Sequence, residues 1–198
     1  MPHPQKPALV NYPINDLALN RWSPRVFSNQ PIEQEKIMSL FEAARWAPSS
    51  YNEQPWRYVY ATATDQEKFK VLVSLMIKFN QAWAGKAFLL IVSFAKKNFT
   101  HNGKPNYYAL HDTGAASLNL VLEAVNQGLA AHQMEGFDKD RAIKELGMDP
   151  EEYQVGSMIA VGYPATLADL DKLAPEHKQS ELAARVRKNL DEIVFKGK

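Results

Sequence analysis

The sequence predicts an α+β or α/β fold in which helices cover the faces of a small β-sheet. Two continuous apolar runs, at residues 87–95 and 155–163, are typical of strands that are buried on both faces. Residues 56–61 predict a shorter strand, and the longest helical periodicity spans about residues 108–127. The predicted order is helix, strand, helix, strand, long helix, short helix, strand, helix.

The first predicted helix follows residues 1–20, a stretch with four prolines that is interpreted as an extended arm. Its apolar side chains recur at i, i+3, i+4 and i+7, and they are Ile37, Leu40, Phe41 and Ala44. Pro48 is predicted to end this helix, because a residue that precedes proline is displaced from the α region. The polar segment 48–55 is then a loop that leads into the first strand.

The second helix is predicted to begin at a capping box formed by Thr64 and Glu67. Its apolar stripe consists of Leu72, Leu75, Met76 and Phe79. In the long helix, the side chains in register are Leu118, Val121, Leu122 and Val125. Gly128 is expected to end the long helix, because glycine readily adopts the left-handed backbone conformation at this position.

The C-terminal third begins with a short helix predicted at residues 138–146, followed by Gly147. Residues 165–180 are interpreted as a polar connector. A final helix is predicted at about residues 180–189, and residues 190–195 are compatible with an edge strand.

Composition and length predict a single domain at residues 21–198, with the arm in front of it. The chain is 45% hydrophobic and 23% charged, which is typical of soluble globular proteins. A net charge of +1 argues against a broad electrostatic interaction with nucleic acid or anionic membrane. The absence of cysteine excludes disulfides, thiolate metal sites and cysteine nucleophiles. With no apolar run typical of a signal peptide or a membrane span, a cytoplasmic location is expected.

Several well-known sequence motifs are missing. No G-x-G-x-x-G follows a predicted strand, and neither a Walker A motif nor a G-x-S-x-G elbow occurs. The five histidines form no H-x-x-x-H pair for zinc, and no metal site is predicted. His111 and Asp112 are adjacent, which is a weak metal signal, and they are interpreted as a pair on the helix surface or in a cap.

Four polar or basic segments stand out as candidate binding sites. Arg21 and Arg25 flank Ser23, an arrangement that suits a phosphate because arginine offers a planar fork of donors. The alternative is a solvated turn. The loop 48–56 presents serine, asparagine and glutamine groups suited to a planar heterocycle, or it is simply a connector.

The other two segments lie in the second half of the chain. Residues 132–136 end in Gly136, which permits close approach of the backbone to a ligand. Residues 185–188, with two arginines and a lysine, are a candidate anion site or a solvated helix face.

Together these segments resemble the FMN-dependent nitroreductase family over residues 20–195. RWSPRVFS resembles the family's R-x-S-x-R-x-F, and EAARWAPSSYNEQPWRYV resembles its A-x-x-A-P-S-x-x-N-x-Q-P-W signature. Phe79-Asn80, the GF pair at 136–137, AVGYP at 160–164 and RKNLDEIV at 187–194 follow in the family order. The resemblance implies an α+β fold with a central mixed or antiparallel sheet flanked by helices. It also implies an intertwined homodimer with two flavins at the interface.

The resemblance implies a role for each matching residue in binding FMN. Arg21, Ser23 and Arg25, with the adjacent Trp22, would hold the phosphate and ribityl chain, joined by Arg185 and Arg187. Asn80 would bond the pyrimidine edge of the flavin. The other side would be lined by Gln133, Met134, Glu135 and Gly136. The residues that would reach the FMN of the neighbouring subunit are Pro48, Ser49, Ser50, Asn52 and Gln54.

The chain departs from the family pattern at two of these positions. Trp83 stands where some members have a lysine that stabilises the anionic reduced flavin, and an indole supplies no such charge. Gln133 stands where the family has a proline near the flavin. Candidates for shaping the substrate cleft are Phe99, Tyr107, Tyr108 and His132, for which core packing is an equal alternative.

The implied activity is that of an oxidoreductase that uses NADH or NADPH to reduce electron-poor acceptors by ping-pong hydride transfer. Nitroaromatics, quinones and activated alkenes are the expected acceptors. Because the cofactor carries the chemistry, no side chain is predicted to be catalytic. The alternatives are a reductive dehalogenase or flavin-degrading enzyme of the same fold, and a flavin-binding protein without turnover.

Overall fold

The fold is that of a computed structural model, which describes residues 5–197 except the side chains at positions 167, 168 and 172. The first four residues of the predicted arm, and residue 198, lie outside this description. The helices are α1 (Asp16–Asn20), α2 (Gln34–Arg45), α3 (Gln66–Leu75), α4 (Lys78–Ala84), α5 (Ala109–Asn126), α6 (Lys139–Glu145) and α7 (Pro175–Leu182). The strands are β1 (Trp56–Thr62), β2 (Leu89–Lys96), β3 (Ala130–Met134) and β4 (Tyr153–Gly162). Short 3₁₀ helices occur at Ser50–Asn52, Leu167–Lys172 and Leu190–Glu192.

The four strands form one antiparallel sheet in the order β1-β2-β4-β3. This sheet with its flanking helices confirms the predicted α+β class. β1, β2 and β4 were predicted from the sequence, β2 and β4 from their apolar runs, whereas β3 was not predicted. β3 has only five residues and includes a histidine and a glutamine, so its period is weak. It is a strand because it pairs with β4 along the edge of the sheet.

β2 is buried on both faces, as its continuous apolar run predicted. Leu90, Val92 and Phe94 point into a core that includes residues of α3 and α4. The alternate side chains of Leu89 and Ile91 point into a second core formed with α2 and α5. The sheet therefore separates two helical layers, and its two edge strands, β1 and β3, lead to the loops described below.

Two predictions about individual helices were wrong in detail. α3 is capped by Asp65, whose carboxylate accepts a hydrogen bond from the Lys68 N–H (3.4 Å), and not by Thr64. Phe79 belongs to the separate helix α4 and is 48% exposed. A tertiary turn after α3 breaks the continuous stripe that the sequence suggested.

In α5, the apolar stripe predicted from the sequence does not coincide with the face of the helix that is buried. Leu118 is 46% exposed, whereas the buried positions include Ala116, Leu120, Val121 and Ala124. The two alanines allow the helix to pack closely against its neighbours, which a pattern weighted toward large side chains does not reveal. Gly128, with φ of +73°, follows the end of α5 as predicted.

The C-terminal predictions at residues 165–195 were largely wrong. The connector contains a 3₁₀ turn and α7, and the helix predicted at 180–189 ends at Leu182. Residues 183–189 are non-helical, and a 3₁₀ turn, not an edge strand, occupies Leu190–Glu192. This tail packs against the N-terminal arm, a contact between the two chain ends that local periodicity cannot anticipate.

None of the helices described within residues 5–197 combines the length and apolar character needed to cross a membrane. The cytoplasmic location stays a prediction.

Candidate functional site, a cation cluster beside the sheet

The two ends of the chain meet next to the segment that carries Arg21 and Arg25. Arg185 Nη1 donates to the carbonyl oxygens of Lys6 (2.7 Å) and Leu19 (2.8 Å). Arg21 Nη1 donates to Ser23 Oγ (3.3 Å). Arginines separated by more than 160 residues of sequence are thereby brought to one place.

These cations lower one another's pKa values. Burial lowers the pKa of Arg21, and the charges of Arg185 and Arg187 lower it further. Burial and then Arg187 lower the pKa of Arg185. The pKa of Lys6 is lowered chiefly by burial, with Arg185 and Arg25 acting in the same direction and Glu181 opposing them. We call Lys6, Arg21, Arg25, Arg185 and Arg187 the cation cluster. Mutually repelling cations are complementary to an anion.

Arg25 is held by α7. Its Nη1 donates to Ser180 Oγ (2.7 Å), while its buried Nε has no hydrogen-bond partner within the described part of the chain. An unpartnered buried guanidinium N–H costs free energy, so this donor is suited to a ligand oxygen. Lys6 lies over the ring of Trp22, with Nζ 4.4 Å from the ring centroid.

Asn80 and Gly136 are brought together, although 56 residues separate them. Asn80 is buried, and its Nδ2 donates to the carbonyl oxygen of Gly136 (3.1 Å). A Cβ at position 136 would lie 2.5 Å from Asn80 Nδ2 and 2.9 Å from Ile77 Cδ1. Glycine is therefore required by the close approach of β3's end to the start of α4.

Trp83 lies in the core beneath the cation cluster. It is 1% exposed, its Nε1 donates to Asn80 Oδ1 (3.2 Å), and its ring packs on His132 with centroids 4.5 Å apart. The Arg25 guanidinium lies 5.7 Å from the ring centroid, a cation–π contact. In the chain as described, Trp83 supports Asn80 and Arg25 from below.

His132 is also inside the protein, at 8% exposure, and not on an open wall. Its Nδ1 lies 3.0 Å from the carbonyl oxygen of Pro24, so the neutral ring donates there. Burial above all, opposed by the Pro24 carbonyl and assisted by the Arg25 and Arg21 charges, lowers the pKa of His132 to about 4. His132 thus ties β3 to the segment that carries the cluster.

The lowered pKa of His132 makes the stability of the protein depend on pH. Because the unfolded chain binds this proton with a pKa near 6.5 and the folded chain only near 4, the free energy of unfolding falls as pH drops from 6.5 to 4. We expect a loss of about 3 kcal/mol from this group. Urea unfolding at several pH values should give this extra slope in the wild type and not in His132→Gln. Identical slopes in both proteins would contradict it.

The residues that follow His132 line a shallow depression of about 420 Å³. Gln133 Oε1 accepts a hydrogen bond from Ser157 Oγ (3.1 Å), and Glu135 forms an exposed ion pair with Lys139 (2.9 Å). Met134 is buried in the floor. The residues that line the depression are Leu110, Gln133, Met134, Glu135, Lys139, Val155, Gly156 and Ser157. Within residues 5–197, no group of three or more metal-ligating side chains comes together.

Comparison with known proteins shows to which family this fold and these motifs belong. The model of the nitroreductase family matches residues 18–88 and 62–163, which together cover most of the chain. The chain belongs to the nitroreductase family.

A solved structure described as an oxidoreductase containing FMN is 34% identical, with a TM-score of 0.87, and the match covers 96% of this chain and 94% of the other. A protein of Archaeoglobus fulgidus, provisionally named an NADH dehydrogenase/NAD(P)H nitroreductase, is 29% identical over 81% of this chain and 93% of its own length. A CLA biosynthesis enone reductase of Lactiplantibacillus plantarum is 26% identical over 79% of this chain and 88% of that protein.

Residues 48–55 carry the end of the family signature before β1, and we call them the signature loop. This loop lies against the start of α5. Tyr51, Asn52 and Gln54 all have positive φ, at 53°, 53° and 51°. Three non-glycine residues in the left-handed region within four positions store strain, a feature typical of functional loops. The Ser50 N–H donates to Asp112 Oδ2 (2.9 Å), and the Gln54 N–H donates to Ser49 Oγ (3.0 Å). Pro48, Asn52 and Gln54 are exposed.

The cleft candidates fall into two groups. Phe99 packs edge-on against Tyr51 (5.7 Å between centroids), and Glu53 joins their two segments by accepting hydrogen bonds from the Thr100 N–H (3.0 Å) and hydroxyl. Tyr107 and Tyr108 are exposed beside the start of α5, at 92% and 59%. The first group, near the signature loop and the start of α5, therefore consists of Phe99, Tyr107 and Tyr108. The second is His132, which lies under the cation cluster.

Sequence reasoning missed four residues that hold these parts in place. Lys6, Asp112, Ser180 and Glu181 contact predicted site residues only through tertiary structure. The one sequence signal was the His111–Asp112 pair, interpreted as a surface or capping pair. Asp112 is in fact 5% exposed and accepts a hydrogen bond from the Ser50 N–H of the loop, while the N-cap of α5 is Tyr108, so Asp112 is neither a surface residue nor the cap of its own helix.

Proposed function

We propose that this nitroreductase-family chain binds FMN and uses NADH or NADPH to reduce electron-poor organic acceptors. The observation that carries the proposal is the cation cluster, in which arginines from both ends of the chain converge. The FMN phosphate has nearly two negative charges near pH 7, so it would offset both the burial and the mutual repulsion that lower the pKa values of Arg21 and Arg185. The relative described as containing FMN, at 34% identity, supports the same cofactor.

The residues present fit this cofactor. Arg21, Ser23 and Arg25 would hold the phosphate and ribityl chain, and the buried, unpartnered Nε of Arg25 offers a donor for it. Arg185 and Arg187 would complete the phosphate site. Asn80 and residues 133–136 would flank the flavin ring, where the glycine leaves room for backbone contact.

Two halves of one such site are far apart in a single chain, which supports a homodimer. The signature loop directly precedes β1, whereas residues 133–136 end or follow β3, and these strands form opposite edges of the sheet. Three strand spacings separate the edges by about 14 Å. The loop of one protomer would therefore complete the flavin site of its partner. The arm and tail also expose apolar side chains that a partner would cover, among them Leu9, Val186, Ile193 and Phe195.

When bound, FMN would supply the redox chemistry that links nicotinamide and acceptor, which would bind in turn as in ping-pong catalysis. The chain's own residues would bind the cofactor, orient its ring and tune its reduction potential. The cation cluster anchors the phosphate, and Asn80 orients the ring. Position 83 is a buried tryptophan, so it supplies no lysine charge to the flavin. Stabilisation of the negative charge of the reduced cofactor would therefore depend more on the neighbouring arginines. The enone reductase among the relatives supports activated alkenes as acceptors beside nitroaromatics and quinones.

The test is reconstitution followed by anaerobic reduction. Purified protein loaded with FMN should show the oxidised-flavin absorbance, lose it on addition of NADH or NADPH, and regain it with a nitroaromatic, quinone or enone. A chain that takes up no FMN refutes the proposal. Uptake without bleaching by either nicotinamide indicates a flavin-binding protein without turnover, and bleaching without reoxidation by any of these acceptors redirects the search to dehalogenation or flavin breakdown.

A further inference from the structure

A fully buried carboxylate lies beside the cation cluster, on α7. Glu181 is 0% exposed, and both of its oxygens accept the backbone N–H of Arg25, at 3.2 Å for Oε1 and 3.0 Å for Oε2. The preceding residue, Ser180, accepts from the Arg25 side chain (2.7 Å). α7 therefore holds Arg25 by its backbone and by its guanidinium.

The charged groups that act on Glu181 are mostly cations. Burial raises its pKa, whereas the Arg25 N–H and the charges of Lys6 and Arg25 favour its ionised form. In return, Glu181 raises the pKa of Lys6 against the combined effect of burial, Arg185 and Arg25. On α7 itself, the buried His177 lies one turn earlier and packs on Phe79, with centroids 4.4 Å apart.

We propose that Glu181 is a positioning residue of the anion site, with two effects that act in opposite directions. It orders the backbone at Arg25 and compensates part of the repulsion within the cation cluster in the apo-protein. It also competes with an incoming phosphate for the same cations. The identity of the anion as the FMN phosphate rests on the proposed function.

This dual role predicts that loss of the Glu181 charge changes the stability of the apo-protein and its affinity for phosphate in opposite directions. In Glu181→Gln, the amide oxygen still accepts the Arg25 N–H, but the charge is gone. The apo-protein should then be less stable, because the cations repel one another without compensation. Phosphate binding should become stronger, because the negative charge next to the site has been removed. A residue with only a structural role would weaken both.

The experiment compares the wild type, Glu181→Gln and the matched control Glu176→Gln, which removes an exposed carboxylate from the same helix. Thermal unfolding of the apo-proteins at pH 8 and low salt is followed with and without inorganic phosphate, and the Kd for FMN is measured by fluorescence quenching. For Glu181→Gln we expect a midpoint roughly 2–6 °C lower, a larger stabilisation by phosphate, and a Kd for FMN roughly three- to tenfold tighter. The control should match the wild type, and the differences should shrink at high salt.

An unchanged or weaker affinity of Glu181→Gln for both phosphate and FMN overturns the inference, even if the wild type binds FMN well. If the wild type binds no FMN but phosphate stabilises Glu181→Gln more than the wild type, the proposed function fails and the inference stands. Should Glu181→Gln not fold, Glu181→Asp keeps the charge and shortens the reach. It should weaken FMN binding about threefold, since a longer N–H contact orders Arg25 less well, and leave riboflavin binding unchanged. Unaltered FMN binding in that variant also overturns the inference.

Discussion

Replacing Arg21 and Arg25 together by alanine should abolish tight FMN binding and leave the fold intact. Each charge-assisted contact contributes about 1.5–3 kcal/mol, so the loss of both should raise the Kd for FMN by a factor of about 10² to 10⁴. The affinity for riboflavin, which has the ribityl chain but lacks the phosphate, should fall much less than that for FMN. Fluorescence quenching with the two ligands measures the difference directly.

The apo-protein of this double variant should be nearly as stable as the wild type. Removal of Arg21 and Arg25 relieves repulsion within the cation cluster, which offsets the loss of the Arg25 contact with Ser180. The matched control is Arg45→Ala with Arg141→Ala. It removes the same net charge from exposed ion pairs with Glu42 and Glu145, and it should bind FMN normally. Equal FMN occupancy in the Arg21/Arg25 variant would refute the assignment of the phosphate site.

Two defective variants should restore each other's activity if the site is shared between protomers. One variant is Arg21→Ala with Arg25→Ala. The other is Asn52→Asp with Gln54→Glu, which keeps the size of both loop side chains and adds two negative charges that repel an anionic cofactor. In a mixed dimer, the cations of the loop variant meet the intact loop of the cation variant, so one of the two sites is intact.

Refolding an equal mixture yields half mixed dimers, and about a quarter of the wild-type FMN content and reductase activity should return. Differently tagged chains, purified through both tags, verify that mixed dimers have formed. Each variant refolded alone should stay near zero. If verified mixed dimers regain no activity, or if the chain stays monomeric with FMN bound, each flavin site lies within one protomer and the shared-site proposal is wrong.

Much of the fold was predictable because its central elements have strong periodicity. β2 is apolar at every buried position except Ser93, and Ile37, Leu40 and Ala44 occupy the buried face of α2. Weak local signals produced the errors. β3 is an edge strand of five residues that is formed by pairing with β4. α7 includes the polar stretch HKQSEL, and the residues that it buries are His177 and Glu181.

The candidate site also has a part that the sequence predicted and a part that only the structure shows. The signature loop and the arginines at 21 and 25 are contiguous motifs, so their residues were identified from the sequence and their clustering was an expectation. Which groups hold them is a property of contacts between distant segments. Asp112 on α5 caps the loop, and Glu181 on α7 holds Arg25 across 156 residues.

The sequence by itself determined that helices cover a small sheet, that two long apolar strands run through that sheet, and that the family motifs with their arginines are present, since these depend on periodicity and on short patterns. Only the tertiary structure decided that the tail is non-helical and returns to the arm, that Trp83 and His132 lie beneath the cation cluster, and that a buried carboxylate, Glu181, accepts the Arg25 N–H beside it. The physical reason is that burial and charge compensation depend on which segments meet in space. Local sequence determines backbone preference, whereas the pKa of His132 and the repulsion among the arginines arise only from that meeting.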